Sequence, residues 1–213
     1  MSNDCVFCDK TKLGERLVSE NRDWYVAATL GQITDGGYVL VIPKEHISCM
    51  GALTPEQTSS MLKTTKETCR ALSLEYQHSI SATPYPVTVF EHGIVGQTIK
   101  HAHLHLLPTV IDLTAKIHND FPEAEMEELQ YAAHLQELYR QRPEPYLFWT
   151  VSNGKSMVCW SPPAPPQYLR LIVAELLGKP ERGNWRNMDA ELDERLGQET
   201  VTRLKSYFQR GGR

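Results

Sequence analysis

Three histidines occur at every second position of one short segment. His101, His103 and His105 lie within residues 96–108, which read GQTIKHAHLHLLP. Side chains of a β-strand alternate between its two faces, so an extended segment here places all three imidazoles on the same face. A buried imidazole needs hydrogen-bond partners, and three in register are more typical of a shared reactive site than of core packing.

Neutral imidazole rings support two kinds of chemistry at such a site. One ring nitrogen can attack an electrophile such as phosphorus, while the other donates a hydrogen bond that fixes the tautomer. Alternatively, a His-x-His-x-His segment chelates a catalytic metal ion. The first alternative predicts a covalent intermediate on one ring. The second predicts that a chelator abolishes activity without unfolding the chain.

A pair of cysteines near the N-terminus forms a second candidate site. Of the five cysteines, only Cys5 and Cys8 are close in sequence, spaced as C-x-x-C. An odd count in a chain without an export signal is a poor disulfide framework. Two thiolates at this spacing can share one metal ion or form a redox pair, and the position at the extreme N-terminus favours the metal.

The composition excludes several other classes of function. The chain of 213 residues has a formal net charge of -4, with 41% hydrophobic and 23% charged residues, as in ordinary globular proteins. A net negative charge argues against nucleic acid as a general partner. No apolar stretch approaches the ~18–20 residues needed to span a bilayer. The first residues lack the basic start and apolar run of a secretory signal, so we expect a cytoplasmic protein that makes no membrane contact.

Strands are predicted mainly in the N-terminal half, and helices mainly in the C-terminal half. Apolar runs between turn signals predict strands at 24–29, 38–42, 86–90 and 98–107, with a helix at about 54–74. The pattern then predicts a helix-rich segment at 121–142, a hairpin at 146–160 around Asn153-Gly154, and helices at 167–177 and 189–209. We therefore divide the chain into residues 1–108 and a mostly helical extension with one hairpin, residues 109–213.

Three motifs in the first 108 residues resemble the histidine-triad (HIT) superfamily of nucleotide hydrolases and transferases. They are Gly96-Gln97-Thr98 with the following HAHLHLL, the strand GYVLVIPKEH at 37–46, and the N-terminal CVFC at 5–8 that is similar to the zinc-bearing branch. The motifs occur in the family's order. The resemblance implies an α+β fold with a five-stranded antiparallel sheet, assembled as a homodimer, and it leaves residues 109–213 unmatched.

The resemblance also implies the catalytic residues. His103 matches the nucleophile, which attacks the α-phosphorus of a nucleotide, and water then hydrolyses the nucleotidyl-histidine. His105 matches the histidine that contacts and polarises the phosphate. Gln97 and Thr98 match positions that contact phosphate oxygens and the leaving group, where neutral donors would stabilise developing charge. His92 is expected either near the mouth of the pocket, contacting substrate, or as a surface turn residue.

The zinc-bearing branch implies a structural metal site beside the nucleophile. Its ligands match Cys5, Cys8, His46 and His101, a Cys2His2 set that suits tetrahedral zinc. Zinc here would position the strand of His103 rather than activate water. The alternative is a metal-free pocket with two reduced thiols. No organic cofactor is expected.

Three functions follow from the resemblance. The leading hypothesis is a hydrolase of dinucleoside polyphosphates, nucleoside phosphoramidates or similar conjugates. A nucleotidyltransferase is the second, although uridylyltransferases of the family carry glutamine at the position of His105, which favours hydrolysis. A nucleotide-binding sensor is the third, and the intact histidines argue against it.

Two features leave the substrate open. Many relatives carry Asn or Asp on the second strand to hold the ribose, whereas Thr29–Gly31 offer neither. In the extension, Arg170, Arg182 and Trp185-Arg186 are suited to hold phosphate and base, or else belong to ordinary helix faces and interdomain packing.

Overall fold

One antiparallel sheet forms the centre of the molecule. The computed structural model describes residues 5–76, 87–151 and 154–211. Eight strands pair in the order β1-β2-β3-β5-β4-β7-β8-β6. The strands are β1 Leu17–Glu20, β2 Trp24–Ala28, β3 Val39–Pro43, β4 Thr88–Gly93, β5 Leu104–Leu107, β6 Met126–Leu129, β7 Tyr146–Thr150 and β8 Ser156–Trp160. The helices are α1 Lys10–Leu13, α2 Pro55–Tyr76, α3 Thr114–Asp120, α4 His134–Gln141, α5 Tyr168–Leu176 and α6 Ala190–Gln209. The predicted α+β class is confirmed.

The sheet has eight strands, so the expected number of five is wrong for the whole chain. Five strands, β1 to β5, come from the part that carries the motifs, and the extension adds three more to the same sheet. The join is the antiparallel pair β4–β7, in which Phe90 lies opposite Trp149 and Gly93 opposite Tyr146. An aromatic-rich strand such as β7 pairs well along a buried edge. The boundary at residue 108 stays a prediction, and the sheet is continuous across it.

The extension contains more strand than expected. The segment predicted to be helix-rich at 121–142 includes β6, which pairs with β8, and only α4 in this segment is an α-helix. Helices α5 and α6 agree with the prediction to within a few residues. The predicted turn residue Asn153 lies outside the described residues, and the β7–β8 pairing ends at Thr150 and Ser156.

Helix α2 begins where the sequence predicts it. Thr54 and Gln57 form a reciprocal capping box: the Gln57 amide N–H donates to Thr54 Oγ1 at 3.2 Å, and the Thr54 N–H donates to Gln57 Oε1 at 2.9 Å. The helix buries Met61 and Leu72 against one face of the sheet, and α6 packs on the same face. The opposite face of the sheet carries the histidines.

The histidine-bearing face is covered by the extension. Tyr38, immediately before β3, and Phe90 of β4 point to this face and pack in one buried cluster with Leu169 and Ile172 of α5. Because successive side chains of a strand alternate, the adjacent residues Val39 and Val89 pack in the cluster with α2 instead. Among the described residues, no helix is long and apolar enough to cross a membrane.

Candidate active site and metal centre

The strand that carries the histidine triad is shorter than the sequence predicts. Pairing with β3 stops at Leu104, so the predicted strand is wrong for residues 98–103. Of the three histidines, only His105 lies in β5. The irregular segment before it is held by other hydrogen bonds. The Ala102 amide donates to the Ile47 carbonyl at 2.7 Å, and His101 Nε2 donates to the Pro43 carbonyl at 2.8 Å. The His101 side chain thus satisfies the carbonyl of Pro43, the last residue of β3.

One ring nitrogen of His103 is fixed by a hydrogen bond, and the other has no hydrogen-bond partner among the described residues. Its Nδ1 lies 2.7 Å from the carbonyl oxygen of His101. A carbonyl only accepts, so the proton of a neutral ring is on Nδ1 and the lone pair is on Nε2. Burial lowers the pKa of His103 to about 4, which leaves the ring neutral at pH 7. The acceptor that fixes the tautomer of His103 is therefore the backbone carbonyl of His101.

His105 lies beside His103 in a closely packed environment. The two ring centroids are 4.8 Å apart, and the His105 ring stacks on Phe90 at 4.5 Å. Its Nδ1 is 2.7 Å from the hydroxyl of Tyr38. Its Nε2 is buried and has no hydrogen-bond partner in the described protein. Burial is the main reason that the pKa of His105 lies well below its usual value, so this ring is also neutral.

Arg170 of the extension reaches into the same site. Its Nη1 donates to the Tyr38 hydroxyl at 3.1 Å, its Nη2 to the Gly31 carbonyl at 2.9 Å, and its Nε to the Gly183 carbonyl at 3.2 Å. The side chain is only 4% exposed, and its hydrogen bonds among the described residues go to carbonyl and hydroxyl oxygens rather than to a carboxylate. This burial is not that of an exposed helix-face residue, and it agrees with the predicted alternative of packing between the extension and the rest of the chain.

The other basic and aromatic candidates of the extension lie elsewhere. Arg182 forms an ion pair with Asp35 at 2.7 Å, and Trp185 packs against Gly31 with Arg186 over its indole ring. Arg170 belongs to no sequence motif, and the motif at 37–46 that contains Tyr38 does not indicate a role for its hydroxyl. Both depend on how α5 packs on the sheet.

Gln97 bridges the triad segment and the loop that contains His46. Its Nε2 donates to the Ser48 carbonyl at 3.0 Å and to the His101 carbonyl at 3.2 Å. The His101 oxygen thus accepts from both Gln97 and His103. Thr98 is exposed at the surface of the same turn.

His92 is buried, 3% exposed, and is therefore not a surface turn residue. Its Nε2 accepts the backbone N–H of Leu169 at 3.0 Å, and its ring meets the edge of the His105 ring at 5.8 Å. Burial lowers the pKa of His92 to about 3, so the ring is a neutral acceptor. In this position the His92 ring packs against the His105 ring.

Four predicted metal ligands converge beside His103. The ligand atoms of Cys5, Cys8, His46 and His101 all lie within 4.8 Å of one another. His101 Nδ1 is 3.4 Å from Cys5 Sγ and 3.5 Å from Cys8 Sγ, and His46 Nδ1 is 3.3 Å from Cys8 Sγ. Tetrahedral zinc, with bonds of about 2.3 Å to sulfur and about 2.0 Å to nitrogen, separates S and N ligands by roughly 3.6 Å. The donor set and its spacing fit zinc.

A buried carboxyl group ties the neighbouring loop to the sheet. Glu91 is 1% exposed and accepts from the Met50 amide at 2.7 Å and from the Tyr146 hydroxyl at 2.5 Å. Burial raises the pKa of Glu91 to about 7. Tyr146 in turn accepts from the Gly51 amide. This network connects the loop that follows His46 to β4 and to β7 of the extension.

Comparisons with known proteins agree with the motifs and the fold. Residues 16–110 match the HIT domain family. The chain is 32% identical over 84 residues to the nitrilase and fragile histidine triad fusion protein NitFhit of Caenorhabditis elegans, covering 39% of this chain and 18% of that protein. It is 26% identical over 106 residues to the adenosine 5'-monophosphoramidase HNT1 of Candida albicans, covering 49% of this chain and 69% of that protein.

Among solved structures, a HIT family protein from Bacillus anthracis is 28% identical, with a TM-score of 0.44. That similarity covers 51% of this chain and 75% of the other. The family match over residues 16–110 confirms the resemblance to the histidine-triad superfamily for this part of the chain.

Proposed function

We propose that the protein hydrolyses nucleotide conjugates at the α-phosphate through a covalent nucleotidyl-histidine. His103 Nε2 attacks the α-phosphorus; a P–N bond forms while the bond from phosphorus to the leaving group breaks, and the leaving group takes a proton from solvent. Water then attacks the same phosphorus and breaks the P–N bond. The sum is one conjugate and one water giving a nucleoside monophosphate and the protonated leaving group. Covalent catalysis divides one difficult displacement into two easier ones.

One observation carries this proposal: the state of the His103 ring. A nucleophilic imidazole must be neutral and must have a free lone pair. Burial keeps the ring neutral, and the His101 carbonyl holds the proton on Nδ1, so the lone pair is on Nε2. The adenosine monophosphoramidase among the relatives supports the choice of a phosphoramidate as one substrate class.

Neighbouring side chains have separate roles in the proposal. His105 Nε2, which has no hydrogen-bond partner in the described part of the chain, contacts a phosphate oxygen. Gln97 holds the triad segment through the His101 carbonyl, and Thr98 lies at the surface where it can meet the leaving group. His92 positions His105 rather than touching substrate, because its Nε2 is bonded to the Leu169 amide.

Zinc is proposed at Cys5, Cys8, His46 and His101. Bound there, it is a structural ion that joins the N-terminus to the end of β3 and to the triad segment. His101 Nε2 donates to the Pro43 carbonyl, the kind of second bond that orients a metal-bound imidazole.

The arrangement disfavours a catalytic metal held by all three triad histidines. Their Nδ1 atoms face different partners: His101 faces the two cysteines, His103 a backbone carbonyl and His105 the Tyr38 hydroxyl. A nucleotidyltransferase remains the second candidate, because the same covalent intermediate serves both reactions. Transfer of the label to a non-water acceptor would distinguish it.

The test is to label the protein with α-labelled nucleotide conjugates, including a phosphoramidate and a dinucleoside polyphosphate. Acid-labile, alkali-stable label is expected on the wild type and on the control His118→Asn, since His118 is an exposed residue of α3. His103→Asn is expected to remain folded and to bind nucleotide without becoming labelled. Label retained by His103→Asn would place the nucleophile elsewhere.

The homodimer and the cytoplasmic location stay predictions. The pairing of β4 with β7 fills the edge that a five-stranded sheet would leave open at β4. In the described part of the chain, the outer strands are β1 and β6, so a dimer formed by strand pairing would use one of these. Light scattering gives the mass in solution and tests the dimer directly.

A further inference from the structure

A buried guanidinium from the extension has no acidic partner in the described structure. Arg170 is 4% exposed, and its three described hydrogen bonds go to two carbonyls and one hydroxyl. Burying a charge without a counter-ion is costly, so an arginine in such a place calls for a function that the burial serves. Its one side-chain partner, Tyr38, points to the triad.

The direction of the hydrogen bonds follows from chemistry. Arginine has only donors, so the Tyr38 oxygen accepts from Arg170 Nη1. The single hydroxyl hydrogen of Tyr38 is then directed to His105 Nδ1, 2.7 Å away. A neutral His105 whose Nδ1 accepts must carry its proton on Nε2.

This direction explains the one nitrogen of the triad that is buried and without a partner. His105 Nε2 is an N–H donor whose acceptor is not in the described protein. The donor lies on the ring next to His103, with the ring centroids 4.8 Å apart. A phosphate oxygen of a substrate attacked by His103 is an acceptor of the right chemistry at this place.

We propose that Arg170 is a positioning residue of this active site, contributed from outside the HIT domain. Through Tyr38 it holds His105 in the Nε2–H tautomer, with its donor ready for the phosphate before substrate binds. This role rests on the proposed function for its catalytic consequence, but the tautomer itself is a property of the free protein. The extension is thus part of the catalytic apparatus.

The contacts of Arg170 show why its position is fixed. Its Nη2 bonds the Gly31 carbonyl, and the Gly31 amide donates to Asp193 of α6 at 2.9 Å. A Cβ added at Gly31 would lie 2.6 Å from Arg170 Nη2 and 2.5 Å from Trp185 Cβ. The β2–β3 loop therefore fits closely between α5, α6 and the segment around Trp185.

The tautomer is measured by two-bond 15N–1H correlation spectra of the full-length protein labelled with 15N-histidine, with His105→Asn assigning the signals. We expect His105 to carry its proton on Nε2 in the wild type. Tyr38→Phe and Arg170→Met should both give a mixture of tautomers, and Arg170→Met should add little in the Tyr38→Phe background. A proton on Nδ1 in the wild type, or an Nε2–H tautomer unchanged in both variants, would overturn the proposal.

A matched control comes from Arg203, which also extends from a helix of the extension and lies over a tyrosine ring at 5.1 Å, the same distance as Arg170 from Tyr38. Arg203→Met should leave the His105 spectrum unchanged. If Arg170→Met folds poorly, Arg170→Lys replaces it in the test. Because lysine keeps the charge and a donor, this variant should retain the Nε2–H tautomer of His105 at least in part. The proposal fails if Arg203→Met and Arg170→Met change the spectrum equally.

Kinetics then test the consequence for the reaction. With a substrate that the wild type hydrolyses, Tyr38→Phe is expected to lower kcat by roughly tenfold or more and to change KM by less than about threefold, because a transition-state donor is misdirected. An unchanged kcat would refute the positioning role. A wild type that hydrolyses no conjugate would refute the proposed function alone, since the spectra report the tautomer without turnover.

Discussion

The carbonyl oxygen of His101 accepts the Nδ1 proton of His103 at 2.7 Å. The same residue that turns its imidazole to Cys5 and Cys8 therefore fixes the tautomer of the proposed nucleophile through its backbone. A metal held by the His101 ring would restrain the backbone that orients His103. The proposed metal site and the proposed nucleophile are thus linked by one residue.

Zinc content is the first prediction from this link. The purified protein should contain about one zinc ion per chain, and Cys8→Ala should lose it, because three ligands bind zinc much less tightly than four. Loss of zinc is expected to lower both the melting temperature and the rate of hydrolysis. Elemental analysis and thermal unfolding measure these effects. Cys69→Ala is the control, since Cys69 is buried in α2 away from the cluster; equal zinc in the Cys8 variant would contradict the site.

The dependence of stability on pH is the second prediction, and it concerns Glu91. Its folded-state pKa of about 7 is above the usual 4.5, so the folded chain binds more protons than the unfolded chain between these pH values. The free energy of unfolding should therefore fall as pH rises from about 4.5 to 7, by up to about 3 kcal/mol from this group.

Denaturant unfolding of the wild type and Glu91→Gln at pH 5 and pH 8 measures this contribution. The neutral variant should lose less stability between the two pH values than the wild type does. Other titrating groups are common to both proteins, so their effects cancel in the comparison. If the free energy of unfolding changes equally in both proteins between pH 5 and pH 8, Glu91 does not titrate in this range.

The close approach of the extension to the β2–β3 loop gives the third prediction. Gly31 has φ +72° and no room for a Cβ, so Gly31→Ala should lower the free energy of unfolding by about 2 kcal/mol or more. Gly178→Ala is the matched control, because Gly178 has a similar φ of +70° with nothing within 4 Å of an added Cβ. Equal losses in the two variants would mean that only backbone strain is measured and that the extension does not pack as described.

Much of the site was predictable because the family motifs are local. Residues 5–8, 37–46 and 96–108 contain the proposed nucleophile and the four proposed metal ligands, and the structure brings those ligands together. Tyr38 and Arg170 were not predictable as a pair. Their contact depends on which face of β3 lies under α5, and that is decided by packing between segments 132 residues apart.

The number of strands was missed for a related reason. Strand β6 reads MEEL, and methionine, glutamate and leucine all favour helices over strands. Pairing with β8 overrides this preference, because it satisfies the backbone of both strands and places Leu129 in a buried cluster. No local pattern in the sequence indicates that β7 pairs with β4 and so extends the sheet.

The most direct test of the central claim is the mass of the protein during turnover. Rapid-quench samples should contain a species heavier by one nucleotidyl group, and peptide mapping under alkaline conditions should locate that group on His103. A nucleotide attached to any other residue, or fast hydrolysis with no modified protein at any time and undiminished turnover by His103→Asn, would contradict the account.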